Sequence, residues 1–320
     1  MSTLALIHPT DLLGVELRES LDRRRDLWQK LLLFSTSEDE IGSLAETRGA
    51  AAMVQKLEDG SLDGVDVAFF SASIDANRSI LERLPATTAA VVLCADADPG
   101  DGRPIVAGVN LDQASRDTPL LSPHPATVAL AHLLYPLLGF EPRLAVATVL
   151  QPVSIHGKPG LDEMFEQTRS ILSFDTNPPR QVFPIQMVFN VVPSLSPQKH
   201  LESQLRTVLG RELPVSIHLV QAGVFHSFGT TLYLELAEDP GLEAVRHALS
   251  EHPMNEVVPK PEVLGPIDAA ARDEVLIGNV EPVEGCPGRY RLWAVMDNLT
   301  CGGALNAIQI LEAISCEVTH

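Results

Sequence analysis

Thr3-Leu4-Ala5-Leu6-Ile7-His8-Pro9-Thr10-Asp11-Leu12-Leu13-Gly14 opens with an apolar run of strand length, turns through polar residues, and enters a second pattern. Past the turn, Leu12, Leu13, Val15, Leu17 and Leu21 recur at helical spacing. A strand, a tight turn and a helix in immediate succession form the opening unit of a dinucleotide-binding-like α/β domain, where the helix N-terminus is the natural place for an anion. Further apolar runs at Leu31–Phe34, Val65–Phe70 and Val91–Leu93, with a helix predicted over Asp75–Leu84, extend that unit. They predict a parallel sheet covered on both faces.

The next decisive stretch is Ser122-Pro123-His124-Pro125-Ala126-Thr127, a polar turn leading into the apolar run Val128–Leu138. Pro125 suits a first helical position, where its fixed φ helps and its missing N–H is no loss. An elbow of this kind can carry a nucleophile at a helix N-terminus, which lowers a thiol's pKa. This elbow has neither Cys nor Ser at its tip.

From Arg143 the texture changes. Leu144–Val149 and Phe183–Val192 read as strands, Gly160–Leu172 as a helix, and Lys199–Leu209 as a polar helix with few large apolar residues. Pro214–Val220, Thr231–Ala237, Glu274–Val280 and Tyr290–Val295 read as further strands bounded by Gly and Pro. The pattern predicts an α+β domain with a mostly antiparallel sheet whose open face needs a cover, which a second subunit would supply. Val257–Pro266 reads as a Pro-rich loop and Gly302–Ile314 as a final apolar helix. The expected division is 1–124 plus 302–320 for the first domain and 125–301 for the second.

Composition narrows the function classes. The 320 residues carry 42 acids against 23 Lys and Arg, a formal net charge of −19, which argues against nucleic acid as a partner. No apolar run has the length of a membrane span, and Met1–Ile7 lacks the basic flank and cleavable core of a leader, so a cytoplasmic location is expected. The four cysteines, Cys94, Cys286, Cys301 and Cys316, form no CxxC. His8, His124, His156 and His226 come from separate loops without ligand spacing, so no metal is expected. Glu38-Asp39-Glu40 reads as a solvated helix start near the end of the second strand.

Asp297-Asn298-Leu299-Thr300-Cys301-Gly302-Gly303-Ala304-Leu305-Asn306-Ala307-Ile308-Gln309 resembles the D-N-L-x-x-G-A-A-x-N-A-V-Q signature of the aspartate-semialdehyde dehydrogenase family. Other landmarks keep the family's order. Leu4–Gly14 is similar to V-A-V-V-G-A-T-G-x-V-G, Phe70-Ser71-Ala72 to F-S-A, and Pro104–Asn110 to P-L-V-V-P-E-V-N. Gln151–Thr168 resembles Q-A-V-S-G-A-G followed by a helix ending E-Q-T, and Pro184–Pro193 resembles F-P-Y-Q-I-A-F-N-V-I-P. The resemblance implies a Rossmann-like NAD(P)-binding domain that uses NADP, a dimerisation domain forming a homodimer, and a Cys thiolate that attacks the aldehyde in amino-acid biosynthesis.

The departures fall on the chemistry. Against the family's N-P-N-C-S-T, the elbow puts Pro125 at the thiol's position, and without a thiolate no acyl-enzyme forms. His8 and Asp11 stand where glycines let a pyrophosphate approach, leaving Gly14 and Thr10, with Asn298 and Gly302, as the cofactor-side matches. Asp11 would cap the helix instead. Leu219 occupies the place of the substrate-clamping Arg in R-V-P-V, and Gln204 and Leu205 that of a carboxylate-containing E-T pair. Gln151 and His226 match the family's active-site Gln and its acid/base His. Cys301, beside Gly302 at a predicted helix start, is the one thiol whose pKa such a start would lower.

These departures resemble the family's Usg-like branch and predict lost dehydrogenase activity, no cofactor or NADP if any, and action through binding or assembly, with a small molecule in the vacated cleft as one form of it. The alternative is an NAD(P)-dependent oxidoreductase acting on an aldehyde or acyl phosphate, with His226 as acid/base.

Overall fold

The computed structural model describes residues 2–175, 177–194, 200–258 and 263–316. The chain divides into two compact units, Met1–Pro125 with Gly302–His320, and Ala126–Cys301. In the first unit β1 (Ser2–Ile7) leads into α1 (Leu12–Arg23), then β2 (Trp28–Ser35). A hairpin of β3 (Leu44–Thr47) and β4 (Ala50–Met53) precedes β5 (Gln55–Lys56), β6 (Val67–Phe70), α2 (Ile74–Leu81) and β7 (Ala89–Val92). Among the described residues β8 (Arg103–Pro104) and β9 (Leu120–Leu121) complete a seven-stranded sheet in the order β5-β2-β1-β6-β7-β9-β8, parallel throughout.

Strand alternation explains why β1 reads as an unbroken apolar run. Leu4 and Leu6 join a core with Leu17, Leu21 and the C-terminal helix residues Ile308, Leu311 and Ile314. Ala5 and Ile7 join a different core with Phe70, Ile74 and Ile80. Both faces of the sheet are covered, so neither can be polar. The C-terminal segment differs from a single helix starting at Gly302: it begins as a π-helical turn, Thr300–Leu305, and becomes α-helical over Asn306–Cys316. The last four residues of the expected 302–320 return, 317–320, lie outside the described residues, as does the Cys316 side chain. Asn306 accepts from Ala107 N at 2.9 Å and donates to Ile105 O at 3.0 Å and Ser122 Oγ at 2.9 Å. Asn306 of the terminal signature is therefore a tie between loops of the first unit.

α3 (Pro125–Leu134) starts at the elbow proline, and a 3₁₀ segment follows over Tyr135–Phe140. In the second unit come β10 (Pro142–Gln151), α4 (Gly157–Leu172), β11 (Val191–Pro193), α5 (Leu201–Leu209), β12 (Val215–Ala222) and β13 (Phe228–Leu236). α6 (Leu242–Glu251), β14 (Asn255–Val257), β15 (Val275–Pro282) and β16 (Arg289–Met296) follow. Among the described residues the sheet runs β11-β12-β10-β13-β16-β15-β14, antiparallel except for β10 with β12 and β14 with β15. Ala145, Ala147, Val149 and Gln151 on β10 are buried, whereas Val146 on the other face is exposed. α5 buries Leu201, Leu205, Val208 and Leu209, a fuller apolar face than its polar reading predicts; Lys199, its expected first residue, lies outside the described residues. Residues 259–262 of the expected Pro-rich loop do so as well.

The strand expected over Phe183–Val192 shrinks to Val191–Pro193. The physical reason lies on α4. The buried Glu163 carboxylate accepts from the N–H groups of Gln181, Val182 and Phe183, and Gln167 Oε1 accepts from Met187 and Val188. Side chains thus satisfy backbone donors that a neighbouring strand would otherwise pair. Phe183, Met187 and Val188 bury their side chains beside Met164, so an apolar run serves as a packed loop.

Glu163→Ala leaves these N–H groups, that of Phe183 buried, without their acceptor, and should cost about 3 kcal/mol of stability in urea unfolding. Hydrogen exchange should localise the loss to 181–188. An unchanged unfolding midpoint would contradict this role for Glu163.

Candidate functional site

At the carboxyl edge of the first unit's sheet, β1 is followed by His8, whose backbone turns into the left-handed region at φ 61°. Its N–H donates to Phe34 O at 2.9 Å, and its ring Nδ1 lies 3.4 Å from Glu40 Oε2. Thr10 Oγ1 donates to Glu40 Oε1 at 2.7 Å. Burial pushes the Glu40 carboxyl up, but hydrogen bonding from His8, Ser35 and Thr10 outweighs it and holds the group at about 2. Glu38-Asp39-Glu40 therefore does not start a helix; it forms a turn closed by Glu40 N to Ser37 O, because Glu40 is held back against β1 and its turn.

Asp11 caps α1. Its Oδ1 accepts from Gly14 N at 2.6 Å and its Oδ2 from Ala72 N at 2.9 Å, so one carboxylate links the α1 turn to the F-S-A loop. Burial pushes the Asp11 carboxyl up; the bonds from Gly14, Ser71 and Ala72 oppose this, and the Glu40 charge adds to it. Gly14 is the glycine this turn requires: a Cβ there would lie 2.6 Å from both His8 O and Asp11 Oδ1. The N-terminus of α2 is treated the same way, with Asp96 accepting from Ile74 N at 2.9 Å and from Ser73 Oγ at 2.8 Å. Two helix N-termini along this edge thus already hold carboxylates of the chain itself.

The second unit holds Gln151 and His226. Gln151 and Gln221 pair in register on the parallel strands β10 and β12, and both are buried. Gln151 Nε2 donates to Gln221 Oε1 at 3.0 Å, and His156 Nε2 lies 2.9 Å from that same oxygen. The next loops run side by side, with Val153 N donating to Val224 O at 2.9 Å and Ser154 N to Phe225 O at 3.1 Å. Asn298 Oδ1 accepts from Ser227 N at 3.0 Å and, with its Nδ2, bonds Ser154 Oγ. The residue expected on the cofactor side is thus engaged inside the second unit, where it fixes Ser227 at φ 69°. His226 is exposed on that turn, and Leu219 is buried two register positions from the Gln pair, opposite Val149. Thr127 Oγ1 donates to Gln204 Oε1 at 3.2 Å, a neutral contact where the resemblance places a carboxylate.

Gly302 lies in the π-helical turn and belongs to the first unit. Cys301 does not gain a lowered pKa. It is buried, and burial, followed by the charges of Asp273, Asp297 and Glu274, pushes its thiol up. Cys94 is pushed up likewise, by burial and then Asp96. Among the described residues no group of three His, Cys, Asp or Glu side chains is placed to hold a metal. Sequence reasoning passed over Asp96 and Gln221. Asp96 carries no motif, and Gln221 shows only as one more polar residue in a strand that also carries Ser216 and His218.

A family model described as "Semialdehyde dehydrogenase, dimerisation domain" matches residues 134–301, just over half of the chain. The chain belongs to the semialdehyde dehydrogenase family. Similarity extends beyond the matched domain: a USG-1 protein homolog of Pseudomonas aeruginosa is 28% identical, with 97% of each chain covered. An aspartate-semialdehyde dehydrogenase of Rickettsia conorii is 24% identical with the same coverage. The structure of a probable aspartate-semialdehyde dehydrogenase from Pseudomonas aeruginosa superposes with a TM-score of 0.92 at 25% identity, covering 98% of both chains. A Rossmann-like parallel-sheet unit followed by a mixed-sheet dimerisation domain is thus the architecture this semialdehyde dehydrogenase relative shares with them.

Glu40 yields a pH prediction with a definite sign. Its carboxyl is held at about 2 when folded, against 4.5 ordinarily, so its stabilising contribution is present above about 4.5 and is lost as pH falls toward 2. Unfolding midpoints of wild type should fall across that window, and Glu40→Gln should flatten the fall. An identical pH profile for the variant would contradict the assignment.

Proposed function

We propose that this semialdehyde dehydrogenase relative has lost the dehydrogenase reaction and acts through binding and assembly as a homodimer. Pro125 at the nucleophile's place carries the proposal. The family's chemistry begins with a thiolate adding to the aldehyde carbonyl, and a proline has no atom that can do so. The elbow itself is intact, with Pro125 as the first residue of α3, so the fold keeps its launching point while the reacting group is gone.

Two further features support the reading. Asp11 caps α1 and Asp96 accepts from the first N–H of α2, so carboxylates stand at helix N-termini along the edge where a dinucleotide's phosphates would lie, which opposes NADP. Leu219, buried and apolar, replaces the cation that would grip a substrate carboxylate. Support for assembly comes from the half-open face of the second unit's sheet, where Val146 is 38% exposed, and from the dimerisation domain that the family match covers. The oxidoreductase alternative draws on one observation, the exposure of His226, which leaves an imidazole available as a proton carrier.

The deciding experiment is a turnover assay with aspartate semialdehyde, inorganic phosphate and NADP, or NAD, followed by absorbance of the reduced nicotinamide. The expected result is no reduction above the protein-free rate, from a sample eluting as a dimer on size exclusion. Turnover that His226→Ala abolishes would overturn the proposal in favour of the oxidoreductase.

A further inference from the structure

Set against the family motifs, two substitutions of this chain meet in space. The Q-A-V-S-G-A-G match places His156 where the family has Ala, and the R-V-P-V match places Gln221 where it has Pro. These two side chains contact each other at 2.9 Å, on Gln221 Oε1, the atom that also receives Gln151 Nε2. Residues that replace a methyl group and a pyrrolidine ring have thus built a polar network around the retained Gln151.

The direction of every bond in this network follows from Gln221. Its Nε2 donates to Gln151 O at 3.0 Å and Ala222 O at 3.4 Å, both backbone acceptors, which fixes its amide orientation. Gln221 Oε1 is therefore the acceptor of the cluster, and both neighbours must donate to it. Gln151 presents its Nε2, which turns its Oε1 the other way, and His156 carries its proton on Nε2, which leaves Nδ1 with a lone pair in the neutral ring. Gln151 is 1% exposed, and its Oε1 is buried without a hydrogen-bond partner. A buried amide oxygen left in that state costs free energy unless a donor reaches it. The Ser227 hydroxyl on the adjoining loop is likewise buried without a partner and can donate.

We infer that the Gln151–Gln221–His156 cluster is a recognition site for a primary carboxamide. The N–H groups of such a ligand supply donors for Gln151 Oε1 and His156 Nδ1, and its carbonyl can accept from Ser227 Oγ. A carboxylate supplies no donor at neutral pH and meets an amide oxygen, an imidazole lone pair and Leu219 in place of a cation. The cluster sits at the carboxyl ends of the parallel strands β10 and β12, from which the loops carrying His156 and Ser227 continue side by side.

This inference rests on the binding reading given above, and its test uses the full chain with succinamide and succinate as a matched pair. Saturation-transfer NMR at millimolar concentration should show transfer to succinamide and none to succinate. Gln151→Met, similar in size but lacking the acceptor, should weaken succinamide at least about tenfold. His156 is half-buried, so His156→Ala serves as the second variant should Gln151→Met fail to fold, and it should weaken succinamide as well. Equal transfer to succinate, no transfer to succinamide, or wild-type affinity in a folded variant would each overturn the site. NADP-dependent turnover would overturn the binding reading itself, whereas an inactive protein that ignores succinamide would overturn this site alone.

Discussion

A single carboxylate organises the first unit's functional edge. Asp11 sits where the α1 N-terminus concentrates positive potential, and it uses both oxygens at once, one on Gly14 N and the other on Ala72 N. A helix N-terminus attracts an anion in any case, and here a carboxylate of the chain itself meets one of the α1 donors. The arrangement reaches outward through Glu40, which is fastened to His8 and Thr10 in the same turn, and is repeated at α2 by Asp96. The cost is desolvation of Asp11 near the Glu40 charge. The gain is that Gly14 N and Ala72 N both find an acceptor within the chain.

In the second unit the corresponding change runs from charged to neutral. Leu219, Gln204 and Gln221 give this unit amides and an apolar side chain where the resemblance places an Arg, a carboxylate-containing pair and a Pro. Hydrogen bonding still orders the loops, since Asn298 pins Ser154 and Ser227 while the Gln pair bridges β10 and β12. Neutral amides hold geometry without demanding a counter-ion. A site of this composition suits ligands chosen by donors and acceptors rather than by charge.

Much of this was legible in the residues. The unbroken apolar run Thr3–Ile7 and the spacing after Asp11 place β1, α1 and the Asp11 cap, because a strand buried on both faces and an N-capped helix leave strong local signals. The Phe183–Val192 run misled because its apolar residues are a packed loop, and the donors that make it one come from Glu163 and Gln167 on α4, far away in sequence. Cys301 misled for a related reason: a helix start lowers a thiol's pKa only where burial does not oppose it, and burial here is nearly complete. Gln221 and Asp96 could not be picked out, since their roles depend on partners that only the folded sheet brings alongside.

Calorimetric titration of NADP into wild type and into a His8→Gly, Asp11→Gly double variant tests the central claim most directly. If the chain's own carboxylate closes the α1 N-terminus to phosphate, wild type gives no saturable heat, and the double variant, with the family's glycines restored, gives measurable binding. Saturable binding of NADP to the unaltered chain would contradict the claim, and so would a folded double variant that remains as silent as wild type.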